Sequence, residues 1–205
     1  MNRKLIILDR DGVINQDSDN YIKTPEEWCA IPGSLEAIAR LCRADYRVVV
    51  ITNQSGISRG LYSLNTLNKI HQKMIDELHV LGGEINAIFF CPHSDEANCY
   101  CRKPKPGLFL ELADRLRCDL AGVYAIGDSI RDLQAALLSG AEPILVETGK
   151  GQLSIENIGT GDLDAMPFFS EGKEEPDIRD RLADVPVFPD LSVFVDYLLN
   201  KKVDC

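Results

Sequence analysis

Val48-Val49-Val50-Ile51 is an unbroken run of β-branched residues, with no polar residue to mark a wet face. A strand apolar on both faces belongs to a parallel sheet covered by helices on each side. Parallel neighbours cannot be joined by hairpins, so the rest of the chain has to supply crossover helices. It does. Leu5-Ile6-Ile7-Leu8 reads as a first strand, and Ile85 to Phe90, Val123 to Ile126 and Pro143 to Val146 as the third, fourth and fifth. Between them, residues 34–44, 63–81, 108–117 and a segment completed by Ala135 to Ser139 carry helical apolar spacing. Ser34 is the expected N-cap of the first helix, and Gly82-Gly83 and Gly140 are expected helix ends. The pattern predicts an α/β fold with a doubly wound parallel sheet, in one domain spanning residues 1–205. Residues 152–185, rich in Gly, Asp, Glu and Pro without a period, read as an irregular loop or insertion. Residues 190–200 read as a terminal helix capped by Asp190.

In open parallel sheets, ligands bind outside the carboxyl ends of the strands, and these ends carry the reactive residues. The first strand ends in Asp9-Arg10-Asp11-Gly12, two carboxylates at i and i+2. A single such pair is also ordinary turn chemistry. The second ends in Thr52-Asn53-Gln54-Ser55-Gly56, followed by Arg59-Gly60. These short hydrogen-bonding side chains suit phosphate oxygens or a plain turn equally. The fourth ends in Gly127-Asp128-Ser129, with Asp132 one helical turn on. Asp9, Asp11 and Asp128 together make an oxygen-rich set suited to Mg²⁺. Tyr21, in the long polar stretch 16–33, can face a ligand or pack beneath its loop. His71 and His79 have no partner at ligand spacing and are read as surface or partly packed residues.

After the third strand come Cys91-Pro92-His93 and Cys99-Tyr100-Cys101. Three thiols and an imidazole, Cys91, His93, Cys99 and Cys101, make a closed tetrahedral set for structural Zn²⁺. A redox thiol pair and unrelated buried cysteines are the other readings. Arg102-Lys103 follows at once, so a clamped loop would aim two cations at an anion, or else present a solvated basic face.

The chain has 205 residues, of which 45% are hydrophobic, and a net charge of -10. The acidity argues against non-specific nucleic-acid binding. No apolar run reaches membrane-spanning length. The N-terminal residues lead straight into the first strand without a cleavage pattern, and seven cysteines, three of them clustered, suit a reducing compartment. The expected setting is the cytoplasm, and the expected state a monomer without nucleic-acid or membrane partners.

Taken together, D-R-D-G-V-I-N, T-N-Q-S-G-I, C-P-H with C-x-C-R-K-P, and G-D-x-x-x-D resemble the haloacid-dehalogenase-like phosphatase superfamily. Within it they look like the zinc-loop subfamily related to histidinol-phosphate phosphatase. The resemblance spans roughly residues 5–150 plus the terminal helix. It implies a Rossmann-like phosphatase fold and a Mg²⁺-dependent phosphatase acting on a small phosphorylated sugar, a heptose bisphosphate, with histidinol phosphate as the rival substrate. A zinc-stabilised binding module on the same fold is the non-enzymatic alternative. The resemblance also implies roles. Asp9 is the nucleophile that becomes an aspartyl-phosphate, and Asp11 the acid and base. Thr52 and Asn53 bind phosphoryl oxygens with Lys103 neutralising them, and Gln54, Ser55 and Arg59 complete the substrate contacts. Mg²⁺ is bound by Asp9, the Asp11 backbone carbonyl and Asp128, and Arg102 meets a second phosphate. The short segments after residues 16 and 60 leave no room for a large cap domain.

Overall fold

The computed structural model describes residues 4–161 and 175–201. It contains a six-stranded sheet in the order β3-β2-β1-β4-β5-β6, every pairing parallel. The strands are β1 (Lys4–Leu8), β2 (Tyr46–Asn53), β3 (Ala87–Cys91), β4 (Tyr124–Gly127), β5 (Glu142–Val146) and β6 (Val187–Phe188). The helices are α1 (Ser34–Arg43), α2 (Leu64–Val80), α3 (Gly107–Leu116), α4 (Ile130–Ser139), α5 (Gly151–Thr160), α6 (Glu175–Ala183) and α7 (Leu191–Asn200).

Side-chain alternation along the strands divides the core in two. Ile6 and Leu8 of β1 and Val48 and Val50 of β2 point to one face, where α1, α2 and α7 add Ile38, Leu41, Met74 and Phe194. Ile7, Val49 and Ile51 point to the other, against Leu108, Phe109 and Leu112 of α3. This period of two is why the central strands read as continuous apolar runs: both faces are covered. The sheet is doubly wound. From β1 the chain runs outward to β2 and β3, returns to β4 beside β1, then runs outward on the other side. The reversal opens a crevice between the carboxyl ends of β1 and β4.

Two local expectations need correction. Ser34 is the first residue of α1 rather than its cap. Gly33, at φ +84°, precedes the helix, and the buried Ser34 hydroxyl donates to the Ile14 carbonyl at 2.6 Å. Residues 152–185 are not simply irregular: α5 and α6 occupy the described parts. In α5 the usual pattern is inverted, with Leu153 half exposed while Gly151 and Ser154 are buried. In α6 the described residues Ile178 and Leu182 are buried, one i,i+4 pair packing with Leu133 and Leu137 of α4. Neither gives a readable period. The two-residue β6 is too short to announce itself. Asp190 does cap α7, accepting from the Val193 amide at 2.8 Å. Among the described residues, no domain-sized insertion separates β1 from α1 or β2 from α2, and no helix is long and apolar enough to cross a membrane.

Candidate active site

The Asp9 amide donates to the Ile126 carbonyl at 2.9 Å, extending β1 beside β4 by one residue. Gly12, at φ +81°, then turns the chain back, and the amides of Ile14 and Asn15 both bond the Arg10 carbonyl. The turn places Asp9 and Asp128 across the crevice, with Asp132 beside them. One oxygen of each lies within 4.8 Å of the others. Asp132 belongs to a capping box with Ser129, whose hydroxyl donates to it at 2.5 Å.

Lys103 is the cation inside this cluster. It is buried, donates to the Ile51 carbonyl at 2.9 Å, lies 3.0 Å from Asp9 Oδ1 and pairs closely with Asp132. Burial opposes its charge, but Asp132 and Asp9 outweigh burial and raise its pKa. One lysine cannot neutralise three buried carboxylates. Asp9 is accordingly pushed up to about 7, first by burial and then by Asp132 and Asp11, against the pull of Lys103. Asp128 is raised too, by burial, Asp132 and Asp9. Among the described residues Lys103 is the one ion-pair partner of Asp9 Oδ1, and it is shared with Asp132. An excess of converging hard oxygen donors around one shared cation is a cradle that fits Mg²⁺.

Asp128 is held from below as well. The Lys150 amide donates to its Oδ2 at 2.8 Å, and the buried Ser154 hydroxyl donates to its carbonyl at 3.0 Å. Thr148 Oγ1 donates to the Gly12 carbonyl at 2.6 Å, closing the turn after β5 onto the first loop. Thr148-Gly149-Lys150-Gly151 is visible in the sequence after a strand, but nothing local ties it to an acid some twenty residues earlier.

The Asp11 carboxylate is not among the converging oxygens of this cluster and is engaged by other side chains. It accepts from Arg10 Nη2 at 2.8 and 2.9 Å, Arg10 Nε at 3.1 Å, Asn15 Nδ2 at 2.9 Å and Gln54 Nε2 at 2.8 Å. Burial works to raise its pKa, but the Arg10 charge and these hydrogen bonds prevail and hold it low.

The strand-end residues of β2 divide by role. Thr52 is buried at the cavity wall and its Oγ1 accepts from Gln54 Nε2 at 2.9 Å, so the hydroxyl proton is free to turn to a ligand. Gln54 was expected to meet substrate, but the structure engages both ends of its amide. Nε2 donates to Asp11 and Thr52, and Oε1 accepts from Tyr62 at 2.7 Å and Arg10 at 3.2 Å. Asn53 likewise pairs in both directions with the Lys103 backbone, at 3.0 and 3.1 Å. Its side chain holds the lysine backbone in place while lining the cavity. His71 is buried rather than superficial, with Nε2 at 3.3 Å from Arg10 Nη1.

Cys91, His93, Cys99 and Cys101 converge. Cys101 Sγ lies 3.3 Å from Cys91 Sγ, 3.3 Å from Cys99 Sγ and 3.4 Å from His93 Nδ1, and Cys91 lies 3.5 Å from Cys99. These are far beyond a disulfide bond of about 2.05 Å. They approach the edges of a tetrahedron whose vertices are about 2.3 Å from a central Zn²⁺. The donor set fits zinc, and with all four corners supplied by protein it would brace a loop and leave no position for water. That loop carries Arg102 and Lys103. Arg102 Nε donates to Asp95 Oδ1 at 2.7 Å and Nη1 to the His93 carbonyl at 3.3 Å, so part of its fork belongs to the loop. Stripping metal with a strong chelator is expected to lower the melting temperature by roughly 5–10 °C and to reduce activity through Lys103. Calorimetry and activity before and after re-addition of Zn²⁺ check this; unchanged melting would remove the bracing role.

A cavity of about 450 Å³ covers the cluster. Asp9, Thr52, Lys103 and Asp128 line it, together with Ser55, Tyr21, Arg59, Arg102, Arg131 and Lys150. Arg131, at the start of α4, is a cation the motifs did not single out. Lys150 also reaches Asp17 at 3.4 Å and ties the 16–33 loop to the turn after β5.

The HAD-hydrolase-like family model matches residues 100–160, from the end of the cysteine loop past Asp128 to the end of α5. The D-glycero-beta-D-manno-heptose-1,7-bisphosphate 7-phosphatase of Bordetella bronchiseptica is 57% identical over 156 residues, 76% of this chain and 87% of that protein. The Pseudomonas putida enzyme of the same name is 54% identical, covering 75% of this chain and 87% of its own. The crystal structure of D,D-heptose 1,7-bisphosphate phosphatase from B. bronchiseptica, complexed with magnesium and phosphate, superposes with a TM-score of 0.82 at 48% identity. It covers 97% of this chain and 99% of that one. The parallel sheet, the acid cluster at its switch point and this degree of identity lead to one conclusion: the chain is a phosphatase and belongs to the D-glycero-beta-D-manno-heptose-1,7-bisphosphate 7-phosphatase family of HAD-like hydrolases.

Proposed function

We propose that the protein removes the 7-phosphate of D-glycero-β-D-manno-heptose 1,7-bisphosphate through an aspartyl-phosphate on Asp9, in supply of ADP-heptose for lipopolysaccharide core synthesis. The observation that carries this is one cavity holding both an acid cluster around Lys103 and a set of separate cations, Arg59, Arg102, Arg131 and Lys150. A substrate with two phosphates needs both. Relatives named for that substrate, at 57% and 54% identity, support it.

The chemistry follows from the residues. An Asp9 oxygen attacks phosphorus in line, and the bond from phosphorus to the sugar oxygen breaks. The departing oxygen takes a proton from Asp11. An anionic phosphoryl group beside Asp11 raises its affinity for that proton, since like charge disfavours the carboxylate. Asp11 then takes a proton from water, whose oxygen attacks the same phosphorus; the Asp9–phosphorus bond breaks and inorganic phosphate leaves. Thr52 donates to a phosphoryl oxygen, and Lys103 neutralises charge on it. Asp9, Asp128 and the Asp11 carbonyl would hold Mg²⁺, which when bound would offset the repulsion between the anionic nucleophile and the phosphate. Cys91, His93, Cys99 and Cys101 would hold Zn²⁺, which when bound would keep the loop bearing Arg102 and Lys103 in shape. The same reading makes the protein a cytoplasmic monomer with no nucleic-acid or membrane partner.

Phosphate release with Mg²⁺ from both heptose bisphosphate anomers and from histidinol phosphate, run in parallel, tests the substrate. The β bisphosphate is expected to lead by at least about tenfold in kcat/KM, the value of one well-placed charged contact. A lead for histidinol phosphate would overturn the sugar reading and leave Arg102 without a phosphate to meet.

A further inference from the structure

A buried hydrogen-bond chain runs from α2 to Asp11, and the phosphoryl-transfer steps make no use of its far end. Arg10 is 1% exposed, and a guanidinium can only donate. Its Nε and Nη2 serve Asp11, which leaves Nη1 facing His71 Nε2 at 3.3 Å. For that contact to be attractive, Nε2 must carry a lone pair. His71 is therefore neutral, with its proton on Nδ1. Burial and the Arg10 charge agree, pushing His71 down to about 3. The packing fixes it further: Phe90 meets the imidazole edge-on, and the neighbouring α2 residues Leu67, Ile70 and Met74 are all buried.

A neutral acceptor is the one kind of group that suits this position. An apolar residue would leave a buried guanidinium N–H unpaired. A carboxylate would compete with Asp11 for Arg10. Gln54 is seated in a parallel way: Tyr62 OH donates to its Oε1, and a Cβ on Gly56 would stand 2.2 Å from the Tyr62 ring, so the ring cannot have another neighbour there. Arg10 and Gln54 both donate to Asp11, and each is backed in turn, Arg10 by His71 and Gln54 by Tyr62.

We propose that His71 is a positioning residue for the reaction: by accepting from Arg10 it holds the guanidinium against Asp11 and keeps the Asp11 carboxylate aimed at the leaving-group oxygen. The inference rests on the assignment of Asp11 as general acid. Proton donation matters for a sugar alcohol, a poor leaving group, and little for p-nitrophenolate. The test is therefore the ratio of kcat/KM for heptose 1,7-bisphosphate to that for p-nitrophenyl phosphate, which reports the steps up to release of the alcohol.

In the Mg²⁺-loaded full chain, Asp11→Asn is expected to collapse this ratio. His71→Leu should lower it at least about tenfold, a fraction of the whole acid contribution. His71→Gln, which returns an acceptor near the Nε2 position, should restore it to within about threefold. Fluorescence of the single tryptophan, Trp28, reports folding. If His71→Leu does not fold, His71→Asn, whose shorter side chain cannot reach Arg10, reads the same ratio with the same expectation. Equal losses on both substrates, or no loss, would overturn the positioning role. A collapse with Asp11→Asn but none at position 71 would reject His71 alone. No collapse with Asp11→Asn would reject the acid assignment and the inference with it.

Discussion

Asp9→Asn is expected to lower phosphate release by at least roughly 10³-fold while the protein stays folded, because an amide cannot form the phosphoryl-enzyme. The substitution is nearly isosteric, and it removes a charge from a site where charge is poorly tolerated. Among the described residues Lys103 is the only ion-pair partner of Asp9, and Lys103 is shared with Asp132. Retention of more than about five per cent of activity would sink the nucleophile assignment, since loss of a covalent nucleophile ordinarily costs several orders of magnitude.

The same variant makes a prediction about stability whose sign can be worked out. The Asp9 carboxyl is raised from 3.8 to about 7, mainly by burial, and this is already net of the attraction of Lys103. The folded state therefore holds the Asp9 proton more tightly than the unfolded chain. Below about pH 4 both states are protonated and nothing is lost. Between about pH 4 and 7 the penalty for ionising the buried acid accumulates, and above that it is fully present, on the order of a few kcal/mol. Without divalent cation, Asp9→Asn should therefore melt several degrees above the parent chain at about pH 8, with the gap closing towards pH 4. Mg²⁺ should shrink the gap by stabilising the parent. Thermal melts across pH with and without EDTA decide it; a gap independent of pH would mean that Asp9 is not the strained group.

Convergence of the acids was legible because it depends on topology. Once β1 and β4 are parallel strands with apolar faces, their ends must lie at one edge, and Asp9 and Asp128 come with them. Lys103 was legible because it directly follows the zinc-ligand spacing. What could not be read was which polar residues face the ligand and which hold the scaffold. Asn53 and Gln54 stand in the same strand-end motif as Thr52, yet their partners lie 50 and 43 residues away, at Lys103 and Asp11. His71 is 61 residues from Arg10. Such pairings are set by how α2 and the zinc loop pack over the sheet, and no local spacing encodes them. The weak period of α5 and α6 has a similar origin: α5 buries Gly151 and Ser154 in place of an apolar stripe, and Ile178 and Leu182 of α6 pack against Leu133 and Leu137 of α4.

Gly149→Ala is the second substitution with a large expected effect, and it separates a strained backbone from a displaced ligand. Gly149 has φ +58°, and a Cβ there would stand 2.1 Å from Asp128 Oδ2 and 2.5 Å from the Gly12 Cα. A Cβ on Gly12 would meet the same Asp128 oxygen at 1.9 Å. The carboxylate is thus sandwiched between two glycines and held by the Lys150 amide. An alanine at 149 must either swing Asp128 out or lift the turn after β5, and either movement breaks that hydrogen bond. Gly140, which ends α4 at φ +85° and where an added methyl would meet nothing within 4 Å, is the control. Both substitutions carry the left-handed penalty of about 1–2 kcal/mol, so both should melt a few degrees lower. Only Gly149→Ala should also lose activity, by about 10²-fold, with a matching rise in the Mg²⁺ concentration for half-maximal rate, the usual cost of disturbing a ligand's support. A Mg²⁺ titration of the two variants beside the parent separates the effects. If Gly149→Ala tracks Gly140→Ala in both melting and Mg²⁺ dependence, the turn after β5 is a structural tie alone, and the seating of Asp128 must come from α4 and Ser154.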